Sequence, residues 1–142
     1  YALFGVMDVQ QLAVVRLMVR DLYLPLSIVG VPTVREADGL ALSSRNRYLT
    51  PEERAVAPAL NRALRQIAEK VASGGRIAAA VKSATTAVER AGFAKIDYIA
   101  VRDAETLGEW KPASGRPGRI LAAVWLGKTR LIDNIALPVP RA

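Results

Sequence analysis

The chain has no cysteine and no histidine. The first absence excludes disulfides, thiolate zinc sites and thiol nucleophiles. The second excludes Ser-His-Asp and Cys-His triads, imidazole metal ligands and histidine acid–base chemistry within these residues. Aromatic residues are few, two Trp, four Tyr and two Phe, and they are scattered. No apolar run approaches the ~20 residues of a membrane-crossing helix. The longest, over 121–126, has the length of a strand. Neither a signal peptide nor an Arg/Ser-rich transit leader is expected. What remains for chemistry is Ser, Thr, Asp, Glu, Lys, Arg, Tyr and backbone amides. That set suits the binding and polarising of phosphates better than it suits hydrolysis.

Hydrophobic residues make up 51% of the 142, but 24 of them are alanine, so the core of large side chains is modest. Charged residues at 23% and near-average Gly and Pro mark a globular chain. Twenty basic residues against thirteen acidic give a net charge of +7, which raises a nucleic-acid-binding reading. The distribution argues against it. Acidic residues are interspersed throughout, no block of five like charges occurs, and Arg does not alternate with aromatics. A solvated basic surface is the expected state.

The chain opens at Tyr1 and runs straight into Phe4-Gly5, which reads as entry in mid-fold and suggests a piece of a longer protein. Asp8 and Gln11 resemble a capping box, and Leu12, Val15, Val19 and Leu22 form a helical stripe over 9–22, stopped by Pro25. The apolar run 26–34 (LSIVGVPTV) predicts a buried parallel strand, so this part reads as half of a βαβ unit without its first strand. A polar loop with a turn at Asp38-Gly39 spans 35–49. Thr50-Pro51-Glu52-Glu53 predicts the start of a helix reaching Ala72, and a second helix over 77–91 ends at Gly92. Strands are expected over 95–102, 119–126 and 130–135. The fold class expected is α/β, with residues 1–34 closing one domain and 35–142 forming a small α+β domain of two helices and an antiparallel sheet.

Three local features bear on function. Ala122 and Gly127-Lys128-Thr129 match a relaxed phosphate-loop pattern, but the residues between are bulky and apolar and no helix follows, so a strand end is expected. Ser43-Ser44-Arg45 puts two hydroxyls and a guanidinium in a loop after a parallel strand, where ligands of open α/β sheets bind. A plain polar surface loop explains the same residues. Gly5, Val6, Met7 and Asp8 precede the first helix, whose amides and dipole could face an anion, or Asp8 could simply cap that helix.

The stretches FGVMDVQQLAVVRLMVRDL, IVGVPTVREADGLALSSRNRYLTPEERAVAPAL and AAVWLGKTRLIDNI resemble pantothenate synthetase, also called pantoate–β-alanine ligase. The resemblance covers essentially all 142 residues and only the later part of the family's chain. It implies a Rossmann-like nucleotidyltransferase domain ending in 1–34, followed by the small C-terminal domain. It implies a ligase that makes pantoyl adenylate from ATP and pantoate, with Mg²⁺ carried on the phosphates, and then joins β-alanine. It implies cytoplasmic location, a homodimer, and neither nucleic acid nor membrane as partner.

By position, the resemblance puts Gly5, Val6, Met7 and Asp8 along ATP, Gln11 on pantoate and Val34 beside adenine. Leu42, Ser43, Ser44 and Arg45 become the phosphate loop, the last three with a catalytic role. Met7 stands where the family carries Lys. The first half of the family's chain, with its His-x-Gly-His-type motif, is not among these residues, so weak ATP binding and no turnover are expected of them alone. A stand-alone, non-catalytic interaction or structural module is the alternative.

Overall fold

The computed structural model describes residues 1–137. It begins with a full β-α-β unit. Strand β1 (Ala2–Gly5) leads through a 3₁₀ turn (Val6–Asp8) into helix α1 (Val9–Asp21), and β2 (Ile28–Val31) returns parallel to β1. The expectation that the first strand is missing is therefore corrected. Four residues, ALFG, are too few for an alternation to show in sequence. Asp8 caps α1 as expected, accepting from the Gln11 amide at 3.0 Å. Val9, Leu12 and Val19 are buried, whereas Leu22 falls past the helix end and lies exposed.

The run 26–34 does form a parallel strand, but a short one, and it is not buried. Val29 and Val31 are both exposed. Side chains alternate between the faces of a strand, and α1 packs on one face of this two-stranded sheet.

Helix α2 (Pro51–Val56) opens with a complete capping box. The Thr50 hydroxyl oxygen accepts from the Glu53 amide at 3.2 Å, and the Glu53 carboxylate accepts from the Thr50 amide at 3.0 Å. Thr50→Ala is expected to lower stability by about 1 kcal/mol, read as a shifted urea midpoint at unchanged slope. The single helix expected from Thr50 to Ala72 is two. Pro58 has no N–H to give the carbonyl four residues back, so α2 ends and α3 (Ala59–Ala72) starts anew. The α+β part thus has three helices, the third being α4 (Ile77–Ala91). Gly92 closes α4 at φ 111°, a left-handed conformation that a side chain would strain.

Strands β3 (Lys95–Asp103), β4 (Gly118–Leu126) and β5 (Thr129–Leu137) form an antiparallel sheet in that order. Gly127 and Lys128 make the β4–β5 turn, so the relaxed phosphate-loop match is indeed a strand end. Central strand β4 is buried along most of its length. On one face Leu64, Ile67 and Val88 of α3 and α4 join Ile120, Val124 and Leu137 in the core. The alternating residues Leu121 and Ala123 are buried on the other face. The 3₁₀ turn after β1 packs against β5, and the Tyr98 hydroxyl donates to Gln10 Oε1 at 3.3 Å. The β5 strand therefore has α3 on one side and the β1–α1 turn on the other.

Candidate functional site

The loop after β2 is folded back on itself by backbone bonds. The Leu42 amide donates to the Val34 carbonyl at 2.9 Å, and the Glu36 amide to the Leu40 carbonyl at 2.8 Å. Two residues expected to meet the nucleotide, Val34 and Leu42, are thereby neighbours, and both are exposed. Gly39 sits at the tip with φ 93°, and a Cβ there would lie 2.9 Å from Asn61 Oδ1. Only glycine satisfies both the left-handed backbone and the close approach.

The loop ends in a second 3₁₀ turn, Ser44–Tyr48. Ser43 caps it, its Oγ accepting from the Arg45 amide at 3.2 Å. Asn46 Nδ2 ties the turn back to the Ala41 carbonyl at 2.9 Å, while its buried Oδ1 has no partner among the described residues. Ser44 and Arg45 are exposed, and among the described residues no carboxylate pairs with Arg45. Among the described residues, Arg45 thus leaves a permanent charge that no carboxylate neutralises, next in the chain to two hydroxyls.

The β1–α1 turn supplies the other candidate residues. Gly5 precedes it and faces open space, with nothing within 4 Å of where a Cβ would stand. Val6, Met7 and Asp8 are half-buried, and Gln11 projects from the first turn of α1 into solvent. One cleft takes in Ser43, Arg45, Asn46 and Asp133; another takes in Met7, Asp8, Ile132 and Asn134. Both clefts include Ile132 and Asp133, so the two groups of candidate residues flank the same stretch of β5.

That stretch carries polar residues which the sequence reading misses. Asp133 is buried and binds Arg35 through two parallel bonds, Nη1 to Oδ2 and Nη2 to Oδ1, both 2.8 Å. The same guanidinium donates to the Gly39 carbonyl at 3.0 Å, and Asn61 Nδ2 approaches Asp133 Oδ2 at 3.4 Å. Asn134 donates through Nδ2 to the carbonyls of Val6 and Met7, each at 2.9 Å, and its Oδ1 accepts from Arg119 Nη1 at 2.8 Å. Burial, reinforced by the nearby Arg16 charge, pulls the Arg119 guanidinium below the ordinary arginine value. One signal in the sequence did mark these positions: Asp-Asn in mid-strand, where both residue types are rare. Their partners Arg35, Val6 and Met7, at separations of 98, 128 and 127 residues in the chain, leave no such trace.

Comparisons with known proteins bear on this arrangement. A family model described as pantoate-beta-alanine ligase matches residues 1–136. The pantothenate synthetase of Caulobacter vibrioides is 54% identical over 138 residues, which is 96% of this chain and 48% of that protein. That of Paramagnetospirillum magneticum is 56% identical over 138 residues, again 96% of this chain and 48% of the relative. The crystal structure of pantothenate synthetase from Thermus thermophilus matches with a TM-score of 0.83 at 46% identity, over 99% of this chain and 50% of that one. A pantoate-beta-alanine ligase from Francisella tularensis, complexed with beta-gamma ATP and beta-alanine, matches with a TM-score of 0.68 at 28% identity, over 94% and 42%. The chain spans about half the length of the curated relatives it matches.

Proposed function

The chain belongs to the pantoate–β-alanine ligase family, and from that premise we propose that it supplies the phosphate-side half of an ATP-dependent ligase. The overall reaction would make pantoyl adenylate and pyrophosphate from pantoate and ATP, and then pantothenate and AMP on attack by β-alanine. The observation that carries this reading is the placing of Ser43 and Arg45 in one cleft and Met7 and Asp8 in another, both bordered by Ile132 and Asp133.

In this proposal Ser43, Ser44 and Arg45 take the β- and γ-phosphates and stabilise the charge that builds on departing pyrophosphate. Ser43 Oγ accepts from the Arg45 amide, which leaves its hydroxyl proton available to a phosphate oxygen. Gly5, with open space beside it, lets a ribose approach the backbone, and Asp8 accepts from the sugar hydroxyls. Val34 and Leu42 flank the base, and Gln11 on α1 meets pantoate. The chain need only hold a carboxylate in line with the α-phosphorus, so the lack of Cys and His is no obstacle.

Mg²⁺ is proposed to arrive on the ATP phosphates. Among the described residues no three acidic side chains converge to build a cage for it. We place the protein in the cytoplasm as a homodimer, without nucleic-acid or membrane partners. No helix among the described residues is long and apolar enough to cross a membrane.

The test is exchange of labelled pyrophosphate into ATP by the complete gene product. Exchange that requires pantoate and proceeds without β-alanine is expected. Exchange independent of pantoate, or none, would rule the reading out.

Met7 gives a second test. It lines the cleft beside Asp8 but brings no charge, where the family resemblance implies a lysine. Met7→Lys is expected to strengthen ATP binding by about 1.5–3 kcal/mol, one charge-assisted hydrogen bond. The gain should shrink at higher salt, because part of it is screened Coulombic attraction. Titration at two ionic strengths checks this; a lower melting temperature with unchanged affinity would show that the side chain packs inward.

A further inference from the structure

Asp133 and Asn134 are consecutive on β5, so their side chains leave opposite faces of the sheet. Asp133 reaches the loop that ends in Ser43–Arg45, by way of Arg35 and Gly39. Asn134 reaches the β1–α1 turn, by way of the Val6 and Met7 carbonyls. Carbonyl oxygens only accept and a guanidinium only donates, so the amide of Asn134 has a single orientation that satisfies all three partners. It is 4% exposed, and its whole hydrogen-bonding capacity toward those partners is used. No other residue type offers two donors and an acceptor in so short a side chain.

We infer that Asn134 is a positioning residue for ATP. It holds the Val6–Asp8 turn against the strand whose preceding residue, Asp133, holds the phosphate loop. Together the two side chains set the spacing between the ribose end and the phosphate end of one nucleotide. The inference rests on the ATP site proposed above. The contact fixes two main-chain carbonyls of the turn that brings Met7 and Asp8 to the second cleft.

Asn134→Asp tests it with no change of shape. The variant keeps an oxygen facing Arg119, but it loses both donors and sets a carboxylate against two carbonyls. Leu64→Ala is the control, since Leu64 is fully buried in the core and lines neither of the two clefts described above. Both variants are made in the complete gene product, and ATP is titrated at a temperature below their melting transitions. Asn134→Asp is expected to weaken ATP binding by about tenfold or more, the scale of effect that a small misplacement of a binding group produces. It should also raise deuterium uptake in the peptide covering Val6–Gln11. Leu64→Ala should lower the melting temperature and leave ATP affinity and that peptide unchanged.

Wild-type affinity in Asn134→Asp, or an equal loss in Leu64→Ala, would overturn the inference. The pantoate-dependent exchange assay on the wild type judges the function itself, so the two can fail separately.

Discussion

Arg45→Ala in the complete gene product is expected to slow pantoyl adenylate formation by about 10²–10³-fold, the range seen when one preorganised donor to a developing charge is removed. The guanidinium is exposed at the start of a 3₁₀ turn, has no carboxylate partner among the described residues, and borders the cleft with Ser43. Its attraction for phosphate is therefore not already spent within the protein. In the proposed reaction pyrophosphate leaves before the amine attacks, so the apparent affinity for β-alanine should hardly change. Rapid-quench measurement of the two half-reactions separates these effects. A loss confined to the second half-reaction would remove Arg45 from the phosphates.

Asp133→Ala should have the largest effect on stability. Its carboxylate is only 4% exposed, Arg35 is 19% exposed, and they meet through two 2.8 Å bonds. Removing one member of such a pair leaves the other charge without a partner, at a cost of about 3–5 kcal/mol. The main-chain N–H of Asn134, which donates to Asp133 Oδ1 at 2.7 Å, loses its acceptor as well. For a chain of this size the melting temperature should fall by roughly 10–20 °C. The paired replacement Arg35→Met with Asp133→Leu removes both charges and should recover much of that loss. The native position of the loop should not return with it, because Arg35 also holds the Gly39 carbonyl. A single variant that melts like the wild type would show that the pair does not carry the loop.

The two effects share one cause. The loop that carries Ser43–Arg45 is not a self-supporting element: its 3₁₀ turn has five residues, and its N-cap is the Ser43 side chain. Short turns of this kind hold their shape only where surrounding structure over-determines them. Here that structure comes from β5 by way of Arg35, and from α3 by way of Asn61 packed under Gly39.

Much of this was legible along the chain wherever cause and effect lie within one turn. Thr50 and Glu53 announce the start of α2, Gly92 announces the end of α4, and Asp8 with Gln11 announces α1. Alternation marks β3, and Gly127 between two apolar runs marks β4 and β5. The Ser-Ser-Arg loop is legible as a set of hydroxyls beside a guanidinium, and the phosphate role is what the family's motifs around it imply. The errors were also local. Pro58 breaks the expected long helix because it lacks one N–H, and β1 is too short to show a period.

What the sequence determined by itself is the set of elements and the chemical inventory: no thiol, no imidazole, an excess of arginine, and hydroxyls beside one of them. Those follow from hydrogen bonds and packing between near neighbours, and from residue types that need no partner to be identified. Only the tertiary structure decided which arginine is spent and which has no partner among the described residues. Arg35 and Arg45 stand ten residues apart in the same polar loop, yet one is neutralised by Asp133, 98 positions along the chain, and the other faces solvent. Antiparallel pairing of β4 with β5 brings Asp133 and Asn134 beneath two loops at once. No local pattern encodes that meeting, because it comes from burying the apolar faces of the sheet, a force with no preference for particular pairs.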